Sequence, residues 1–93
     1  MKIVKVPGEE SHHIMLYALS TCVWCQKTKK LLNDLGVAYD YVDVDRFSGE
    51  ARKEAVEKLK ACNPRSSFPT VVIDNVTCIN GYKVDEIREA LGK

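Results

Sequence analysis

Ile14-Met15-Leu16-Tyr17-Ala18-Leu19-Ser20-Thr21-Cys22-Val23-Trp24-Cys25 is the stretch on which the reading of this chain turns. Ile14 to Leu19 is a continuous apolar run, the pattern of a buried strand. Ser20 and Thr21 are good helix N-cap residues, so a helix is expected to begin there. Thr28, Leu31, Leu32 and Leu35 then repeat at helical spacing, and Gly36 suits the residue just past the helix end. Cys22 and Cys25 therefore fall at a strand-to-helix turn. Unpaired backbone N–H groups and the positive end of the helix dipole favour a thiolate there, and the thiolate is the form that attacks disulfides.

Working outward, Val37 to Val44 alternates and reads as a second strand. Asp45 to Gly49 is a loop, with Ser48 placed to cap the next helix. Ala51, Ala55, Leu59 and Cys62 share one stripe of that helix, and Asn63-Pro64 ends it. Thr70 to Ile73 is a short strand, Asp74-Asn75 a tight turn, and Val76 to Ile79 the returning strand. Gly81 interrupts the chain. Val84, Ile87, Ala90 and Leu91 mark the last helix, with Asp85 and Glu86 suited to its first turn. Residues 1–13 precede this pattern as an N-terminal extension, in which Ile3 to Val6 alternates weakly and Pro7 to Ser11 reads as a turn.

The order is β-α-β-α-β-β-α, an α/β fold over residues 14–93. A four-stranded mixed sheet flanked by three helices is expected, with an optional extra N-terminal strand. The first two main strands, joined by a helix, should run parallel with a right-handed crossover. The last two form an antiparallel hairpin.

Ninety-three residues make one domain. A formal net charge of +1 gives no pointer to nucleic acid or an anionic membrane. The longest apolar run is too short to span a bilayer. Residues 1–7 thread charges through their apolar positions and lack the apolar core and small-residue cleavage site of a signal peptide, so none is expected. A cytoplasmic protein is expected. Four cysteines could also belong to a small secreted disulfide scaffold, but such chains are loop-rich, and this one has clear helix and strand periodicity. A C-x-x-C near a strand–helix–strand pattern reads instead as a thioredoxin-like redox motif.

Three motifs in this order resemble the glutaredoxin family. They are Cys22-Val23-Trp24-Cys25 after the first main strand, Ser67-Phe68-Pro69-Thr70 before the third, and Asn80-Gly81-Tyr82 before the last helix. The resemblance covers residues 14–91 and implies a thioredoxin-like fold and disulfide oxidoreductase activity. Glutathione-linked members usually carry Pro-Tyr between the cysteines, a lysine shortly before them and a Gly-Gly-x-Asp-type motif near the end. This chain has Val23-Trp24, has Ala18-Leu19-Ser20-Thr21 where the lysine would lie, and ends with Asn80-Gly81-Tyr82-Lys83-Val84-Asp85. That last segment is more similar to the Ser-Gly-Phe-Arg-Pro-Asp of NrdH-type redoxins, which supply electrons to ribonucleotide reductase.

The resemblance assigns roles. Cys22 is the nucleophile and Cys25 the resolving thiol of a redox-active disulfide. Pro69 is cis and faces the pair, turning the backbone of Phe68 toward a bound substrate strand. Gly81 and Tyr82 form the far wall of the groove. Apart from the resemblance, Trp24 in the loop between the cysteines reads either as an exposed partner anchor or as packed on a neighbouring loop. Lys27, Lys29 and Lys30 are either thiolate-stabilising cations or a solvated helix face. No tightly bound cofactor is implied, and glutathione enters only as a possible substrate. Expected partners are protein disulfides such as ribonucleotide reductase, and a thioredoxin reductase-type or glutathione reductant. A monomer is expected.

Zinc is the chemical rival, but structural zinc usually takes four ligands in close pairs. Cys62 and Cys78 make no second close pair, and His12 and His13 are adjacent surface residues. Some glutaredoxins bridge an iron–sulfur cluster through the first cysteine, usually beside a Gly or Ser, where this chain has bulky Val23-Trp24. Cys62, on its helix stripe, and Cys78, in a strand, read as buried structural cysteines.

Overall fold

The computed structural model describes residues 3–93. Its elements are β1 (Val4–Val6), β2 (Ile14–Ala18), α1 (Val23–Asp34), β3 (Tyr39–Asp43), α2 (Gly49–Cys62), β4 (Thr70–Ile73), β5 (Thr77–Asn80) and α3 (Val84–Leu91). A 3₁₀ turn, Val44–Arg46, leads from β3 toward α2. The sheet has five strands in the order β1-β3-β2-β4-β5. β2 and β3 are parallel, with Leu16 opposite Tyr41. The other three pairings are antiparallel.

Every residue of β2 is buried, because it is the central strand with helices on both faces. Its side chains alternate between two cores. Ile14, Leu16 and Ala18 pack with Cys25 and Leu32 of α1 and Ile87 and Leu91 of α3. Met15 and Tyr17 face the other way, against Ala55 and Leu59 of α2 and Val42 and Val44. Each fully buried leucine in these layers contributes about 1.5–3 kcal/mol of transfer free energy. The periodicity of α1 maps onto its buried stripe of Cys25, Thr28 and Leu32, and Gly36, at φ 71°, takes the left-handed position that ends it.

The sheet is one strand wider than the four main strands predicted. The optional N-terminal strand forms: β1 lies antiparallel on β3, with Val4 opposite Tyr41. Gly8 makes this approach possible. A Cβ there would stand 2.5 Å from the Val37 carbonyl carbon and 2.6 Å from the Ala38 nitrogen. The bare backbone instead passes close enough for Glu9 N–H to donate to Gly36 O and Ala38 N–H to Glu9 O, both at 2.8 Å. Further along, His12 Nδ1 and the His13 N–H bond to the two carboxylate oxygens of Asp74 at 2.8 and 2.9 Å. These bonds hold the Asp74 carboxyl below the usual range. Asp74 and Asn75 turn the chain as expected, both with positive φ, but Val76 belongs to the turn and not to the returning strand: its N–H donates to Ile73 O at 3.2 Å, Ile73 stands opposite Thr77, and three residues connect the two strands.

Cys62 and Cys78 depart from their reading. Their Cα atoms are 5.9 Å apart and their sulfurs form a disulfide. Cys62 is half-buried and Cys78 exposed. The strand position of Cys78 suggested burial, but β5 is an edge strand whose only buried residue is Ile79. Linear spacing gave no sign of the pair, since the β4–β5 hairpin is what carries Cys78 back to the end of α2.

Candidate active site

The turn after β2 positions both catalytic candidates. Ser20 and Thr21 do not cap α1. Ser20 is drawn aside by Asp45, whose carboxylate accepts from the Ser20 N–H at 2.8 Å and from its hydroxyl. These bonds also keep the Asp45 carboxyl low. Cys22 takes the N-cap, in extended conformation (φ −85°, ψ 119°), and its Sγ accepts the Cys25 N–H at 3.2 Å. A sulfur in the place of a capping oxygen lies at the positive end of the helix dipole.

Cys22 is partly exposed and Cys25 fully buried. Burial first, then a hydrogen bond with Cys22, pushes the Cys25 thiol up to about 12. The two sulfurs therefore differ in the way the two steps of an exchange require: one open to attack a substrate, the other held protonated beneath it.

Val23 and Trp24, between the cysteines, are 64% and 55% exposed. Trp24 is nonetheless fixed. Its ring lies 5.8 Å from that of Tyr82, and Lys27 Nζ sits 4.7 Å above it. Trp24, Phe68, Pro69, Gly81, Tyr82 and Lys83 line one groove of about 370 Å³. All five residues read as substrate-binding thus meet there, beside the N-cap that carries Cys22.

The Phe68–Pro69 peptide is cis. Pro69 is buried, and its carbonyl accepts the Gly81 N–H at 2.7 Å, fastening the two walls together. Gly81, at φ 96°, adopts a backbone that favours glycine. Phe68 makes no backbone hydrogen bond among the described residues, so its N–H and C=O are free beside the groove.

Of the three lysines, none is aimed at Cys22. Lys27 stacks on Trp24. Lys29 Nζ bonds Asp43 at 3.0 Å and lies 4.1 Å from the Tyr41 ring centre, and Lys30 pairs with Asp34 at 2.8 Å on the surface. They form a ring-stacked and ion-paired helix face.

One positioning residue escaped the sequence reading. Asn63, 2% exposed, donates to Ser67 Oγ at 2.8 Å and Thr70 Oγ1 at 3.1 Å, and accepts the Arg65 N–H at 3.2 Å. Thr70 donates onward to Ser67 O at 2.8 Å. This network holds the loop from α2 into Phe68-Pro69. The only signal in the sequence was Asn63-Pro64, which reads equally as a helix stop.

The family model for glutaredoxin matches residues 14–78. The chain belongs to the glutaredoxin family, whose members are thiol–disulfide oxidoreductases. A glutaredoxin from Methanosarcina mazei Go1 superposes with a TM-score of 0.91 at 50% identity, covering 100% of this chain and 90% of that one. Methanoredoxin from Methanosarcina acetivorans gives 0.89 at 48% identity, covering 92% and 90%. Glutaredoxin 1 of Rickettsia conorii is 32% identical over 65 residues, which are 70% of this chain and 61% of the relative. The matched stretch thus spans about three fifths of that longer protein. Among the described residues no cluster of three or more His, Cys, Asp or Glu is placed to hold a metal, and no helix is long and apolar enough to cross a membrane.

Proposed function

We propose that this glutaredoxin reduces disulfides in protein substrates, in the manner of NrdH-type redoxins. One observation carries the reading: Cys22 is itself the N-cap of α1, beside a groove walled by Trp24, Pro69, Gly81 and Tyr82. The Cys22 thiolate attacks a substrate sulfur, forming one mixed disulfide and releasing the other substrate sulfur as a thiolate that takes a proton. Phe68 offers its free backbone N–H and C=O to pair with the substrate strand, and Trp24 and Tyr82 take its side chains. Cys25 then loses its proton and attacks Cys22. The second substrate thiol leaves, and Cys22–Cys25 is oxidised by two electrons.

The surroundings of Cys25 support this order of steps. Two of the causes that raise the Cys25 thiol, its hydrogen bond with Cys22 and the charge there, come from the Cys22 sulfur. Both disappear once that sulfur sits in a mixed disulfide. The resolving thiol becomes more acidic at the step that needs its thiolate.

The NrdH-like reading, with ribonucleotide reductase among the targets and a thioredoxin reductase-type donor, is supported by Val23-Trp24 and by the absence of lysine from Ala18 to Thr21. Lys83 favours a second reading, glutathione-linked reduction, because it lies at the groove and its exposed ammonium, 3.7 Å from the Glu86 carboxylate, is a cation that a glutathione carboxylate could share. The test is to oxidise the protein and supply either reduced glutathione with its reductase or NADPH with a thioredoxin reductase. Re-reduction of Cys22–Cys25 by the thioredoxin reductase alone is expected. Re-reduction by glutathione alone overturns the NrdH-like reading.

A further inference from the structure

The Cys62–Cys78 disulfide lies on the sheet face opposite the catalytic pair. Cys25 packs in the core under α1, whereas Cys62 ends α2 and Cys78 stands opposite Val72, which packs toward α2. The two pairs therefore share no surface. Cys62–Cys78 borders a groove of about 540 Å³, lined among others by His13, Met15, Tyr17, Lys58 and Val76. That volume admits a small thiol with room for its backbone atoms. Of the two residues Cys78 is exposed and Cys62 half-buried, which favours attack at Cys78. Exposed disulfides are the labile ones, while buried structural ones resist reduction.

The bond also joins two segments that matter to the catalytic groove. Cys62 immediately precedes Asn63, the residue that holds the Phe68-Pro69 loop. Cys78 lies three residues before Gly81, which is fastened to Pro69.

We propose that Cys62–Cys78 is a second dithiol/disulfide couple, which exchanges with low-molecular-weight thiols through the Cys78 sulfur. In the reducing direction a thiolate attacks Cys78 Sγ. The Cys62–Cys78 bond breaks, Cys62 leaves as a thiolate and takes a proton, and Cys78 is held as a mixed disulfide. A second small thiol then attacks that mixed disulfide on its own kind, releasing Cys78 as a thiol and a small-molecule disulfide. Two electrons pass from two small thiols to the protein. Oxidation is the reverse, with the small disulfide as acceptor.

The native protein serves for the test, because trypsin cutting at Lys60, Arg65 and Lys83 puts Cys62, Cys78 and the Cys22–Cys25 pair on three separate peptides. The protein is poised in buffers of reduced and oxidised glutathione, quenched, and labelled differentially at each cysteine, with far-UV circular dichroism recorded in parallel. Reversible opening and closing of Cys62–Cys78 with the circular dichroism unchanged is expected. In Cys62→Ser, oxidised glutathione should load residue 78 about tenfold faster than it loads residue 62 in Cys78→Ser, in line with the exposure of the two residues. Opening only where the fold is lost, failure to close in oxidised glutathione, or equal loading of the two positions overturns the proposal.

Discussion

Asn63→Ala puts the loop that carries Pro69 to a quantitative test. The side chain is 2% exposed and makes three hydrogen bonds, to Ser67 Oγ, Thr70 Oγ1 and the Arg65 N–H. Each contributes about 0.5–1.5 kcal/mol net. Ser67 and Arg65 are exposed and recover water, which places their share at the low end. Thr70 Oγ1 is buried and keeps only its bond to Ser67 O. The sum is a loss of about 2 kcal/mol, and with a slope of about 1 kcal/mol per molar urea for a domain of this size the unfolding midpoint falls by about 2 M. Asn63→Asp sharpens the result. It keeps the acceptor for Arg65 but points a carboxylate oxygen, in place of a donor, at Thr70, so its loss should be at least as large. Both variants should also lower kcat/KM for a disulfide substrate at temperatures where they remain folded, because the Pro69 wall has lost its anchor. A midpoint within about 0.5 M of the parent for either variant would refute the network as the loop's support.

Other outcomes follow from single contacts. Gly8→Ala forces a Cβ to within 2.6 Å of backbone at Val37 and Ala38 and should break the two bonds of Glu9, costing about 2 kcal/mol and lowering Tm by about 10 °C; an unchanged Tm contradicts the packing of β1. The buried Cys25 thiol, raised to about 12, makes the reduced protein bind this proton more tightly folded than unfolded. Its contribution to stability is complete below the unfolded thiol range near about 8.5 and is lost as pH climbs from there toward 12. Urea midpoints of the reduced protein should fall over that window, and Cys25→Ala should flatten the decline; a flat parent profile contradicts the burial argument. Trp24→Ala should leave stability nearly unchanged, since the ring is largely exposed, but raise KM for a protein disulfide about tenfold; an unchanged KM removes Trp24 from the substrate groove.

The sequence disclosed the parts of this fold that carry a local signal. β2 follows from its apolar run, α1 and the buried stripes of all three helices from helical spacing, the bend between β4 and β5 from Asp74-Asn75, and Cys22 with Cys25 from their place between a strand and a helix. What remained hidden depends on distant segments meeting. Ser20 reads as a cap until Asp45, twenty-five residues away, claims it, and the cap passes to Cys22. Gly8 reads as a turn until Val37 and Ala38 are seen to lie against it. Asn63 reads as a helix stop, and only the fold shows that its amide reaches Thr70. Cys62 and Cys78 have helix and strand positions that suit a core, but an edge strand exposes one of them and a hairpin brings it to the other.

On the proposed mechanism Cys22 attacks and Cys25 resolves. The most direct measurement is the intact mass, with peptide mapping, of Cys25→Ser after incubation of the reduced protein with a disulfide-bonded peptide. A stable adduct of one peptide thiol on Cys22, absent from Cys22→Ser under the same conditions, is the predicted result. An adduct confined to another cysteine, or equal trapping in Cys22→Ser, would contradict it.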